Sequence, residues 1–141
     1  MSEGAGAFVG AKITILTQGS VLTLLRDDVP TISYPDMWDL PGGGREGDET
    51  PLACVLRETR EEFGIALAPD MVRYRRFYRY PGQTGGWHFG AIWDDLTEGM
   101  IRFGEEGQMW RFMPVQEFVR HKNAVPFLKD RTRHFLESLS L

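Results

Sequence analysis

The chain reads as an α/β (α+β) domain, a mixed β-sheet covered by helices on both faces. Three observations predict this class. Alternating, strand-like segments lie on both sides of a central stretch with helical periodicity. A second helical stretch closes the chain, and no segment repeats another. Strands that precede and follow a helix pack as a sheet between helical layers, and 141 residues suit one domain.

Residues 1–6 are small and polar and are expected to form a flexible end, leaving one domain over residues 7–141. From Ala7 onward, Val9, Ala11, Ile13 and Ile15 alternate onto one face of a half-buried strand. Gln18-Gly19 signals a turn, and Val21 to Leu25 reads as the returning strand of a hairpin. Asp27 to Asp36 carries Pro30 and Pro35 and is expected to be a loop. Trp38-Asp39-Leu40 is a short apolar step into Pro41 and three glycines. The central helix follows: Thr50 can cap it, Pro51 suits its first turn and Gly64 its end. Leu52, Val55, Leu56, Thr59 and Phe63 form its apolar stripe, with Thr59 the one polar member.

Val72 to Tyr80 is the next expected strand, with Tyr74, Tyr78 and Tyr80 on one face and Arg73, Arg75 and Arg79 on the other. Pro81 to Gly86 makes a loop, and Trp87 to Trp93 and Met109 to Met113 read as strands. Phe127 to Leu139 is the closing helix, with Asn123 as a candidate cap ahead of Pro126.

Composition narrows the function. No apolar run reaches the roughly 18 residues of a membrane helix, and the N-terminus shows no secretory pattern, so a cytoplasmic protein without a membrane partner is expected. The net charge of −4 lacks the basic excess of a nonspecific nucleic-acid binder. Cys54 is the sole cysteine, which excludes an internal disulfide and a cysteine-based zinc site.

The chemistry concentrates in residues 43–65, GGREGDETPLACVLRETREEFGI. Glu58, Glu61 and Glu62 stand at i, i+3 and i+4, which puts three carboxylates on one helix face, away from the apolar stripe. Like charges at this spacing repel by a few tenths of a kcal/mol per pair unless a cation sits among them. Hard Mg²⁺ or Mn²⁺ suits oxygen ligands. Glu49 precedes the helix, and Arg57 inside it can hold a carboxylate through a two-pronged, charge-assisted contact. The glycines before it let backbone groups approach a ligand closely. Such a site suits attack of metal-activated water on a phosphoanhydride.

Gly43, then Glu49, then Arg57-Glu58-Thr59-Arg60-Glu61-Glu62-Phe63-Gly64-Ile65 resembles the Nudix box, G-x5-E-x7-R-E-U-x-E-E-x-G-U. Thr59 stands where the pattern has a bulky aliphatic residue; it is expected to face the core, leaving the site intact. The resemblance implies a Nudix-type α/β/α sandwich and a small MutT-like hydrolase. It implies that Glu58, Glu61 and Glu62 bind metal, that the carbonyl of Gly42 or Gly43 completes the shell, and that Gly43 and Gly44 meet substrate. Glu49 becomes a ligand or proton-handling group oriented by Arg57. A further glutamate from a later loop is implied, with Glu106 preferred to Glu105; which glutamate is the general base stays open. The implied activity is hydrolysis of a nucleoside diphosphate linked to another group, a nucleoside triphosphate first. ADP-ribose or nucleotide-sugar hydrolysis, or binding without cleavage, are the alternatives. Capped or triphosphorylated RNA ends are disfavoured by the acidic balance.

The remaining candidates keep two readings. Arg73, Arg75 and Arg79 can bind phosphate, Arg79 foremost, or form a solvated strand face. Tyr78, Tyr80, Trp87 and Phe89 can stack a base or fill the core. His88, His121 and His134 lack ligand spacing, and Cys54 reads as a small helix residue. Nothing marks an interface, and a homodimer stays open.

Overall fold

The computed structural model describes residues 6–140. A seven-stranded mixed sheet forms the middle layer. Strand β1 (Gly10–Thr17) lies at its centre, antiparallel to β2 (Ser20–Leu25) and parallel to β6 (Gly86–Ile92). Beyond β2 lie β3 (Trp38–Asp39) and β7 (Met109–Pro114), both antiparallel to it, while β5 (Val72–Tyr78) pairs antiparallel with β6. Short β4 (Gly42–Gly44) pairs antiparallel with the start of β1.

The alternation of β1 sorts the two faces. Ala11, Ile13 and Ile15 join one buried cluster with Cys54, Val55 and Phe63 of helix α1 (Pro51–Phe63). On the opposite face, Val21 and Met113 join Phe118 and Val119 of α2 (Val115–Arg120) and Leu128 of α3 (Pro126–Leu139). Helices therefore cover both faces, as the order of elements predicts. Each large apolar side chain sealed into these clusters contributes about 1.5–3 kcal/mol.

Helix α1 begins and ends on the expected residues. Thr50 accepts a hydrogen bond from the Ala53 N–H at 3.1 Å, and Gly64 adopts a left-handed φ of 67° while its N–H closes on Arg60. The buried stripe is rotated slightly from the expected one. Cys54 is fully buried, and Leu52 and Leu56 only partly so. Thr59 reaches the core, its hydroxyl donating to the Val55 carbonyl at 2.7 Å.

Several expectations need correction. Val9 is 63% exposed; the alternation slips one residue ahead of Gly10, so Phe8 takes the core position, with the Arg45 guanidinium 4.2 Å from its ring centroid. Strand β5 stops at Tyr78, leaving Arg79 and exposed Tyr80 in the following turn. Asn123 does not cap α3: Val125 occupies that position, and the Asn123 carbonyl accepts from the Trp38 N–H at 2.8 Å. Helix α2 and strand β4 were not expected. Residues 1–5 of the expected flexible end lie outside the described residues; the Gly6 carbonyl accepts from Arg45.

Candidate active site

Strand β4 and helix α1 build the site together. Gly43 lies so close to α1 that a Cβ there would sit 2.5 Å from the Glu58 carboxylate. A side chain at this position would displace the Glu58 carboxylate from where it now sits. Gly42 holds a φ of 126°, a backbone state that side chains strongly disfavour.

Arg57 fastens the helix to the segment before it. Its Nε and Nη2 donate to the two Glu49 oxygens at 2.7 and 3.1 Å, and Nη2 also donates to the Gly44 carbonyl at 2.8 Å. Glu49 accepts a further bond from the Glu46 N–H at 2.8 Å. The Arg57 guanidinium holds the Glu49 carboxyl below its usual range, and Glu49 in turn holds Arg57 protonated.

The three helix carboxylates occupy different surroundings. Glu58 is largely covered, and burial pushes its carboxyl upward against the pull of Arg57 and Lys12. Glu106, exposed in its loop, adds to that upward push. Glu62 is the most buried of the three; its Oε1 accepts from the Gly42 N–H at 2.9 Å, and burial pushes it up to about 8. Glu61 is 56% exposed and turned toward Arg57, whose Nη1 lies 3.2 Å from both of its oxygens. The three carboxylates thus differ in exposure and in partners. Among the described residues no three His, Cys, Asp or Glu side chains stand gathered around one ion-sized space.

Lys12, which sequence reasoning passed over, sits between these groups. Its ammonium donates to Asp39 at 3.0 Å, to the Leu40 carbonyl at 3.1 Å and to the Gly42 carbonyl at 3.0 Å. Buried Asp39 also accepts from Arg26 at 2.8 Å. In the sequence Lys12 falls on the polar face of an alternating strand and carries no special signal. Lys12 also satisfies the Gly42 carbonyl, one of the two, with Gly43, that the resemblance offers to a metal.

The donor chemistry nevertheless fits a hard divalent cation. Glu58 and Glu62 are neighbouring carboxylates drawn out of water, so their charged forms call for a cation. Hard oxygen donors surround the β4 edge, and no thiolate or accessible imidazole competes: Cys54 is buried with its thiol pushed up to about 11, and His88 is fully buried and held neutral.

A cavity of about 830 Å³ opens on the other side of β4. Gly43, Gly44 and Lys12 form its rim toward the carboxylates, and Tyr80, Trp87 and Phe127 give it aromatic walls. None of the carboxylates lines it; they meet it across the glycines. Of the remaining candidates, Tyr78 is largely buried but lines the cavity, and Phe89 belongs to the core. Arg79 donates to the Gln83 carbonyl at 2.9 Å in its own turn and does not line the cavity.

The NUDIX domain model matches residues 9–135. The chain is 38% identical over 109 residues to an RNA pyrophosphohydrolase of a Nitratiruptor species, covering 68% of this chain and 67% of that one. It is 37% identical over 99 residues to the m7GpppN-mRNA hydrolase NUDT17 of Danio rerio, covering 70% of this chain but 29% of that protein. The fold matches a bifunctional NMN adenylyltransferase/ADP ribose pyrophosphatase from Francisella tularensis, solved with AMP and a Mn ion. That match has a TM-score of 0.77 at 21% identity and covers 93% of this chain and 41% of the other. The chain thus spans only part of these relatives, and over that part it shares their fold. The chain belongs to the Nudix hydrolase family.

Proposed function

We propose that this chain is a metal-dependent pyrophosphohydrolase acting on a nucleoside diphosphate linked to another group, with a nucleoside triphosphate as the leading substrate. One juxtaposition carries the reading: two desolvated carboxylates, Glu58 and Glu62, stand across a glycine edge from a nucleotide-sized cavity. Glu58, Glu61 and Glu62 would hold Mg²⁺ or Mn²⁺, with the Gly42 carbonyl joining once Lys12 releases it. The bound ion would make a water more acidic and neutralise phosphate oxygens.

The chain's own groups account for the rest. The nucleoside occupies the cavity, and its phosphates cross the rim at Gly43 and Gly44, where backbone can approach without side-chain obstruction. Lys12 lies on that rim and supplies a positive charge to the phosphates. Arg57 keeps Glu49 ionised and in one orientation. Glu49 and Glu106 are the carboxylates outside the metal set that can take a proton from the attacking water. Arg79 enters only as part of the turn outside the cavity.

The names of the relatives favour a second reading, in which the cleaved anhydride belongs to an RNA 5′ end. The net charge of −4 favours the small nucleotide. A binding module without cleavage would have no use for the retained carboxylates. Hydrolysis should be measured on nucleoside triphosphates, ADP-ribose and a 5′-triphosphorylated oligonucleotide, with and without Mg²⁺, for wild type, Glu58→Gln and Glu62→Gln. Metal-dependent release of pyrophosphate or phosphate that collapses in both variants is expected. Metal-independent turnover, or turnover unchanged in both, refutes the reading. An oligonucleotide cleaved faster than every small substrate selects the RNA-end reading.

A further inference from the structure

Arg131 is a buried charge without an acceptor. It is 7% exposed, lies on the inner stripe of α3 with Leu128, Thr132 and Phe135, and lines the cavity. Its guanidinium sits 4.4 Å from the Tyr78 ring centroid and 4.8 Å from that of Phe127. Its Nε is sealed from solvent with no hydrogen-bond partner, and no carboxylate among the described residues pairs with it. The nearby hydroxyls are engaged elsewhere: Thr14 bonds Thr132 at 2.9 Å and His88 at 2.8 Å. Arginine does not shed its proton. Ring contacts offset part of its desolvation, but this cavity-lining guanidinium still holds a buried Nε that no acceptor meets.

The cavity's other cation is differently placed. Lys12 is at the glycine rim and already holds three oxygens. Arg131 stands among Tyr34, Tyr78, Trp87 and Phe127, a setting that suits a flat ring better than a hydrated phosphate.

We propose that Arg131 selects the base of the nucleotide and prefers guanine. This rests on reading the cavity as the nucleoside site. Guanine presents O6 and N7, two adjacent acceptors on one edge, which match a guanidinium fork. Adenine sets an amino donor beside N7 and turns it toward the arginine. On the edge that corresponds to guanine's O6 and N7, cytosine presents its N4 donor and uracil the single acceptor O4. A guanine oxidised at C8 carries hydrogen on N7 and forfeits half of the match.

The test begins with calorimetry on the metal-free protein, using GMP, AMP and ribose 5-phosphate as probes. GMP should bind about tenfold to a hundredfold more tightly than AMP, and ribose 5-phosphate more weakly than either. In Arg131→Gln the preference should vanish or reverse, because an amide matches the N6/N7 edge of adenine. Arg131→Lys keeps the charge without the fork and should also lose the preference. Because the readout is a ratio between two bases, a variant that folds less well does not mimic the effect. Undetectable GMP binding, equal binding of GMP and AMP by wild type, ribose 5-phosphate binding as well as GMP, or a ratio unmoved in both variants overturns the proposal. Selective GMP binding with no turnover of any substrate would sustain this proposal while removing the hydrolase reading. Metal-dependent turnover indifferent to the base would do the reverse.

Discussion

Replacing Glu62 with glutamine isolates the carboxylate on which the site's electrostatics turn. Glutamine keeps the shape and can still accept the Gly42 N–H, but it cannot ionise. Burial raises Glu62 from its ordinary value of 4.5 to about 8, so the folded chain binds this proton more tightly than the unfolded chain. Stability from this group is therefore fully present below the unfolded value and is lost as pH rises through the folded one. Between those limits the slope is about −1.4 kcal/mol per pH unit. In EDTA, the stability of wild type relative to Glu62→Gln should fall by about 3 kcal/mol between pH 5 and 7.5. Urea titrations of both proteins at each pH measure this difference, and other titrating groups cancel in the comparison. Saturating Mg²⁺ should then restore wild type by about 2.7 kcal/mol at a hundred times its dissociation constant, and Glu62→Gln by much less. A gap that stays flat with pH, or equal Mg²⁺ stabilisation of both proteins, refutes the claim that Glu62 is a desolvated carboxylate awaiting a cation.

Arg57→Ala removes both prongs on Glu49 and the bond to Gly44, and should cost about 1–3 kcal/mol in urea unfolding; kcat should fall about a hundredfold as Glu49 loses its orientation. Arg57→Lys, which keeps charge without the fork, should recover little of that rate, and full recovery would show that charge alone suffices. Gly43→Ala places a methyl against the Glu58 carboxylate and should lower Mg²⁺ affinity about tenfold or more in a metal titration; unchanged affinity would separate Glu58 from the metal set. Cys54, buried with its thiol pushed up to about 11, should resist iodoacetamide at pH 8 in the folded protein and label rapidly in denaturant, as mass spectrometry would record.

The elements that sequence reasoning located are those whose forces are local. Thr50, Pro51 and Gly64 terminate α1 through the backbone of their own neighbours, and Thr59 meets the core because helical spacing leaves it nowhere else. The elements it missed depend on distant partners. Three glycines have no intrinsic claim to be a strand; β4 exists because β1 runs alongside it. Val9 was expected inside because alternation was extended past Gly10, where Phe8 instead reaches the core. Asn123 has a capping side chain, yet pairing of Trp38 with the backbone of residues 123–125 fixes where α3 begins.

The site divides along the same line. Glu49, Arg57 and the three helix glutamates lie within a short span, so their spacing announces them. That Arg57 reaches Glu61 as well as Glu49 is not announced, because spacing does not set where a long guanidinium side chain turns. Lys12 and Arg131 are separated by most of the chain and become neighbours of one cavity only through the parallel pairing of β1 with β6 and the packing of α3 over it. Arg131 left a faint trace, a cation on the same helix stripe as Leu128 and Phe135. A charge on a buried stripe must meet an opposite charge, an acceptor or a ligand, and the sheet register decides which. Lys12 meets Asp39 and two carbonyls. Arg131 meets two aromatic rings and open space. The two cations thus divide the cavity into a rim whose charge is already balanced and an interior whose charge is not.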